Sequence, residues 1–159
     1  MQLTDDKVRD FSYAHVDFKL ENGLSVIYLP IPNTQVLALQ MWVKTGSIHE
    51  GSFLGSGVSH FVEHMVFKGT QHRTYADIFK ETQQQGAKMN AYTSFDRTVY
   101  TYDGHVDSLA VGLDILGDML CNSIFPEEEL VKERDVILRE IAMCNDDPED
   151  RFGGGYLRL

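Results

Sequence analysis

The order in which two apolar periodicities occur constrains this chain more than any other feature. Residues 18–30, FKLENGLSVIYLP, hold two alternating runs around Glu21-Asn22-Gly23. Asn-Gly between such runs is the strongest short-range hairpin signal, because both residues accept the positive φ that a tight turn needs. Residues 35–45, QVLALQMWVKT, are rich in β-branched and aromatic side chains and lie between turn residues, which predicts a central strand. GSFLGSG, residues 51–57, breaks that pattern. Helical spacing starts at Val58, with His60, His64 and Phe67 recurring until Gly69 offers a C-terminal cap. Thr74 is placed to cap a second helix, YADIFKETQQQ, that Gly86 ends. MNAYTSFDRTVYTY then reads as two β runs around a turn at Ser94 to Arg97, either a hairpin or two adjacent strands. From Val106 onward, Leu109, Leu113, Leu116 and Leu120 form the stripe of an amphipathic helix, and Pro126 followed by three glutamates starts another. Strands and helices that segregate in this way predict an α+β fold, a mainly antiparallel sheet packed against helices.

Composition narrows the function. A chain of 159 residues with 43% apolar content is long enough for one domain with its own core. A formal net charge of −10 with only 14 Lys and Arg excludes a nucleic-acid binder or a polybasic membrane-surface protein, since both need clustered cations. No apolar run approaches the ~18 residues of a membrane span. The start, MQLTDDKVRDF, has neither the basic segment nor the apolar core of a signal peptide, so the cytoplasm is expected, with a mature organellar protein as the alternative. Cys121 and Cys144 lie in helical patterns without metal-ligand spacing, and buried free thiols are expected.

The stretch HFVEH, residues 60–64, carries the chemistry. Residues i and i+4 share a helix face, so His60 and His64 can offer their imidazoles to one metal ion. Glu63 projects near the same face and can reach a water on such an ion without ligating it. Two histidines and a glutamate on a helix can also be no more than a solvated polar face. A catalytic zinc takes three protein ligands, so one more is required. ERDVILREIAM, in the last helix, supplies Glu133 and Glu140, seven residues apart and on nearly the same face. Val136, Ile137, Leu138 and Ile141 around them predict a largely buried helix, where a glutamate is costly unless paired or coordinated. In the alternative, both glutamates face water and pair with Lys132, Arg134 or Arg139.

HFVEHMVFKGT, then GAKMNAYTSFDRTVY, then ERDVILREIAMCNDDPE, closely resembles the pitrilysin/insulinase family of zinc metallopeptidases, over about residues 15–150. His-x-x-Glu-His is that group's inverted zinc signature. The resemblance implies one zinc ion per chain, held by His60, His64 and Glu140, with Glu63 as the general base that activates zinc-bound water. Glu133 would orient a ligand from behind. Asn90, Ala91 and Tyr92 would form an edge strand on which an extended peptide or unfolded-protein substrate is laid; without the resemblance, NAYTS reads equally well as an interior strand. Family members are several times longer and repeat this α+β unit. Residues 1–150 are therefore expected to be the N-terminal unit of such a protein, incomplete alone, with 151–159, which include FGGGYLRL, as a Gly-rich tail. The activity expected is that of a zinc endopeptidase. The alternative is a zinc-binding but inactive fragment or subunit that needs a second homologous half to complete the cleft.

Overall fold

A computed structural model of the chain describes residues 14–146. These fall into two units that divide between Gln35 and Val36. The first is the expected hairpin, β1 (Val16–Lys19) and β2 (Ser25–Tyr28), paired antiparallel. Gly23 takes φ +89°, and the Asn22 side chain accepts the Leu24 amide at 3.1 Å, which is why this dipeptide turns so tightly.

The second unit holds the core. Its sheet contains β3 (Val36–Val43), β4 (Lys88–Thr93) and β5 (Thr98–His105), in the order β3-β5-β4 with both pairings antiparallel. The strand expected at residues 35–45 is present but is not central. Among the described residues β3 pairs only with β5, and β5, with Val99, Tyr100 and Tyr102 all buried, takes the middle. Every residue of β3 is exposed or half-buried, so its apolar content marked a strand but not its place in the sheet. The hairpin reading of residues 89–102 holds, closed by the Ser94 amide on the Arg97 carbonyl at 2.8 Å.

Four helices follow the sequence signals: α1 (Val58–Val66), α2 (Tyr75–Gln84), α3 (Leu109–Asn122) and α4 (Glu127–Asp146). The combination is the α+β fold expected. Thr74 caps α2 reciprocally with Asp77, and Gly86, at φ +64°, ends it. One sheet face, carrying Leu39, Met41, Met89, Tyr100 and Tyr102, packs with Val66, Ile78, Ile115, Leu116 and Met119 from the helices. The leucine stripe of α3 is displaced from its expected place. Leu109 and Leu113 are exposed, and the buried face runs through Gly112, Ile115, Leu116 and Met119 because the helix seats on the Tyr102 ring. Nor is α4 largely buried: Glu133 and Ile137 point inward while Val131 and Leu138 are exposed. Cys121 is a free thiol, as expected, but an exposed one rather than buried, and the Cys144 side chain lies outside the described residues, as do MQLTDDKVRDF and FGGGYLRL. No helix among the described residues is long and apolar enough to cross a membrane.

A polar staple joins α3 to the loop before α2. The buried Asp118 carboxylate accepts from Thr70 (2.7 Å), Arg73 (2.9 Å) and Asn122 (2.8 Å), and Arg73 also pairs with Glu81 and Asp114. Burial works to raise the Asp118 carboxyl, but those three hydrogen bonds outweigh it and hold the group below the ordinary aspartate range.

Two outcomes follow from this packing. A Cβ at Gly112 would lie 2.8 Å from the Tyr102 ring, whereas one at Gly117 meets nothing within 4 Å. Gly117→Ala should therefore stabilise by up to ~1 kcal/mol through helix propensity. Gly112→Ala should destabilise, since overpacking at ~1–3 kcal/mol exceeds the same gain; urea unfolding of both variants tests the opposite signs. The second outcome concerns pH. With its folded pKa lowered, Asp118 contributes fully above the ordinary aspartate value of about 4, and that contribution is lost as pH falls through the lower folded value. Thermal unfolding from about pH 6 down to about pH 2 should lose stability less steeply in Asp118→Asn than in the native chain, and equal slopes would remove Asp118 from the account.

Candidate metal centre

The loop before α1 sets where that helix begins. Gly46 sits against the β4–β5 turn, where any Cβ would lie 2.2 Å from the Ser94 carbonyl oxygen, and the Ser47 and Ile48 amides donate to Ser94 and Phe95. The chain then folds back through two short 3-10 turns so that Glu50, buried, accepts the amides of Gly55 (3.1 Å) and Ser59 (2.8 Å). Ser59 is in the first turn of α1, so a carboxylate occupies the positive end of the helix that carries the histidines.

On α1, the His60 and His64 rings stand perpendicular with centroids 4.6 Å apart and their Nε2 atoms 3.0 Å apart. α4 packs against α1 and brings Glu140 Oε2 to 3.8 Å from both nitrogens. His60, His64 and Glu140 form the one cluster of metal-ligand type among the described residues. Glu133, one seven-residue step back along α4, meets His64 from behind, its Oε1 3.0 Å from Nδ1. Its Oε2 lies 2.6 Å from the Lys68 ammonium. Burial alone would raise the Glu133 carboxyl; hydrogen bonds from Lys68 and His64 hold it below the usual range, so it is ionised. A carboxylate only accepts, hence His64 Nδ1 donates and Nε2 is the ring nitrogen that faces His60 and Glu140. The surface alternative for the two glutamates is not adopted. Lys132 pairs with Glu129, Arg134 with Asp135, and Arg139 donates to the Asp135 carbonyl.

The expected residues therefore assemble in part around one point. Two imidazole nitrogens and a carboxylate oxygen converge there, a set of the nitrogen and oxygen donors that zinc accepts. Glu63, although beside the histidines in sequence, is not in this triplet. It is buried, and its Oε2 accepts from the Thr93 hydroxyl at 2.6 Å. The Tyr100 phenol is pushed up by burial and then by the nearby Glu63 charge, and stays protonated. Asn90, Ala91 and Tyr92 do lie on an edge: among the described residues β4 pairs only with β5. Asn90 and Tyr92 are exposed, and the Ala91 amide donates to the Asn90 side-chain oxygen at 2.9 Å.

Three residues of the site escaped the sequence reading. Lys68 was visible in principle, since 60, 64 and 68 continue one row at helical spacing. Thr93 lies in NAYTS, but its partner depends on β4 packing beside α1. Glu50 carries no sequence signal for its target, which the loop alone determines.

Comparison with known proteins shows the family. The profile of Insulinase (Peptidase family M16) matches residues 25–153. A zinc protease of Rickettsia felis is 43% identical over 132 residues, which cover 83% of this chain and 32% of that protein. The β subunit of the mitochondrial processing peptidase of Saccharomyces cerevisiae is 39% identical over 122 residues, 77% of this chain and 26% of the subunit. The crystal structure of a protease from Helicobacter pylori superposes with a TM-score of 0.80 at 29% identity, over 87% of this chain and 34% of that one. The chain thus spans about a third of the length of the relatives it matches.

Because Glu50 holds two amides at the start of α1, Glu50→Ala should lower the unfolding free energy by ~1–2 kcal/mol, and Glu50→Gln, which keeps one acceptor, by less. Urea titrations of the three proteins at neutral pH decide it; coincident curves would mean that the Glu50 carboxylate holds nothing.

Proposed function

The chain belongs to the insulinase family of peptidases, M16, and we therefore propose that it is the metal-bearing unit of a zinc-dependent endopeptidase that cleaves extended peptides. The single observation that carries the proposal is the convergence of His60 Nε2, His64 Nε2 and Glu140 Oε2 from two different helices. These three would hold one zinc ion per chain. Three protein ligands rather than four are the number that catalytic zinc sites use. When bound, the ion supplies Lewis acidity, polarising a peptide carbonyl and making water a stronger acid.

The rest of the chemistry belongs to the chain's own residues. Glu63 acts as general base: with Oε2 occupied by the Thr93 hydroxyl, Oε1 is the oxygen that takes a proton from the attacking water. The water oxygen bonds to the carbonyl carbon, the C–N bond breaks, and the same proton goes to the leaving amine. Glu133 fixes the orientation of His64. The outer edge of β4 at Asn90, Ala91 and Tyr92 would take the substrate as an added strand, a mode in which backbone bonds supply affinity and pockets supply selectivity. An apolar recess of about 220 Å³, lined by Phe67, Ile78, Phe79, Ala87 and Met89 among others, lies at the beginning of that strand and can receive a substrate side chain.

A second reading has its own observation. The chain matches only 32% of the Rickettsia protein, and the His60 and Glu140 side chains are about 40% exposed, so the site is open on one side. In that reading residues 1–150 are a zinc-binding unit without activity of its own, residues 151–159 are a tail, and a second homologous half or subunit completes the cleft. For either reading we place the chain in a reducing compartment such as the cytoplasm, which keeps the exposed Cys121 thiol free. A mitochondrial location, as in the name of the yeast relative, is the alternative.

The purified chain is expected to hold one zinc ion, lost in His60→Ala. Its hydrolysis of a quenched-fluorescence peptide library should drop roughly 100- to 10,000-fold in Glu63→Gln while zinc is retained. Absence of zinc in the native chain would overturn the metal centre. Zinc without turnover would select the half-site reading, and turnover that survives Glu63→Gln would remove Glu63 as the base.

A further inference from the structure

We propose that Lys68 is a positioning residue for the metal site, acting through Glu133 to fix the ring of His64; the inference rests on the zinc reading of His60, His64 and Glu140. A buried carboxylate held at one oxygen can still rotate about its terminal bond. Glu133 is held at both. Oε1 accepts from His64 Nδ1 at 3.0 Å, and Oε2 accepts from Lys68 Nζ at 2.6 Å. With the carboxylate locked, the imidazole plane is locked too, and Nε2 of His64 points at the junction with His60 and Glu140. Outer partners of this kind typically contribute 10- to 100-fold in metal affinity.

The surroundings of Lys68 set it apart from an ordinary surface pair. Its side chain is 17% exposed and that of Glu133 is 7% exposed. In the Lys132–Glu129 pair on the same helix, Lys132 is 64% exposed and water screens the attraction. On another side the Lys68 ammonium lies 5.2 Å from the centre of the Tyr75 ring, a cation–π contact that adds to its fixed position. The backbone places it there: α1 ends at Val66, the Lys68 amide still donates to the Met65 carbonyl at 3.0 Å, and the side chain continues the row of His60 and His64. Gly69, at φ +135°, then turns the chain away.

A lysine that only stapled α1 to α4 would affect stability; one that works through Glu133 must also show coupling to it in zinc binding. Zinc affinity of the full chain is measured by competition with a chromogenic chelator, which requires no catalytic activity. Lys68→Met should bind zinc 10- to 100-fold more weakly, and Lys68→Arg should recover most of the loss. In a double-mutant cycle, Lys68→Met placed on Glu133→Gln should change affinity less than ~3-fold, because the group through which it acts is already neutral. That arm also covers the case in which Lys68→Met alone fails to fold around an unpaired Glu133. Native affinity in Lys68→Met, or an equal loss with and without Glu133→Gln, would overturn the relay while leaving the zinc site standing. A native chain that binds no zinc would overturn both.

Discussion

Two imidazoles on one helix reach a common point only if something fixes their rings, and in this chain the fixing comes from another helix. His64 could rotate freely about its side-chain bonds on an isolated α1. Glu133 prevents this by accepting from Nδ1, and the same helix, seven residues further, brings Glu140 to the opposite nitrogen. The packing of α4 on α1 therefore determines both the presence of the third donor and the orientation of the second. Everything else in the second unit can be seen as support for that contact: the sheet with α3 forms a platform, the loop from Gly46 to Gly57 sets where α1 starts, and the Asp118–Arg73 staple holds the segment that follows α1.

The division between what sequence revealed and what it hid follows from the range of each interaction. Local signals were read correctly where the deciding neighbours lie within a few residues: Asn22-Gly23 as a turn, Thr74 as a cap, Ser94 to Arg97 closing β4 onto β5, and His60 with His64 on one face. The errors concern partners far along the chain. β3 was expected to be central because its apolar content resembles that of a central strand, but strand order depends on pairing across more than fifty residues. Leu109 and Leu113 fit a helical stripe, yet Gly112, which looks like a gap in that stripe, is the residue that allows α3 to approach Tyr102. A stripe drawn through large side chains overlooks contacts that need a small one.

The site shows the same limit. Helical spacing drew attention to His60, Glu63, His64, Glu133 and Glu140; three of them meet at one junction, Glu133 backs His64, and Glu63 turns toward Thr93. The partners that hold them, Lys68, Thr93 and Glu50, belong to residue types common on any surface. Only their low exposure and short contacts distinguish them. Charge that would be inconsequential in water becomes directional when it is enclosed.

The open edge of β4 carries a consequence of another kind. Unpaired backbone groups do not distinguish a peptide from the equivalent strand of a second molecule, so a strand of six residues that is an edge among the described residues, with Asn90 and Ala91 at its middle, is also a place where copies can pair with each other at high concentration. Lys88 at the first position of the strand and the tie of the Ala91 amide to the Asn90 side chain both oppose that outcome. Colloidal behaviour and recognition thus draw on the same six residues, and changes that sharpen one will be felt in the other.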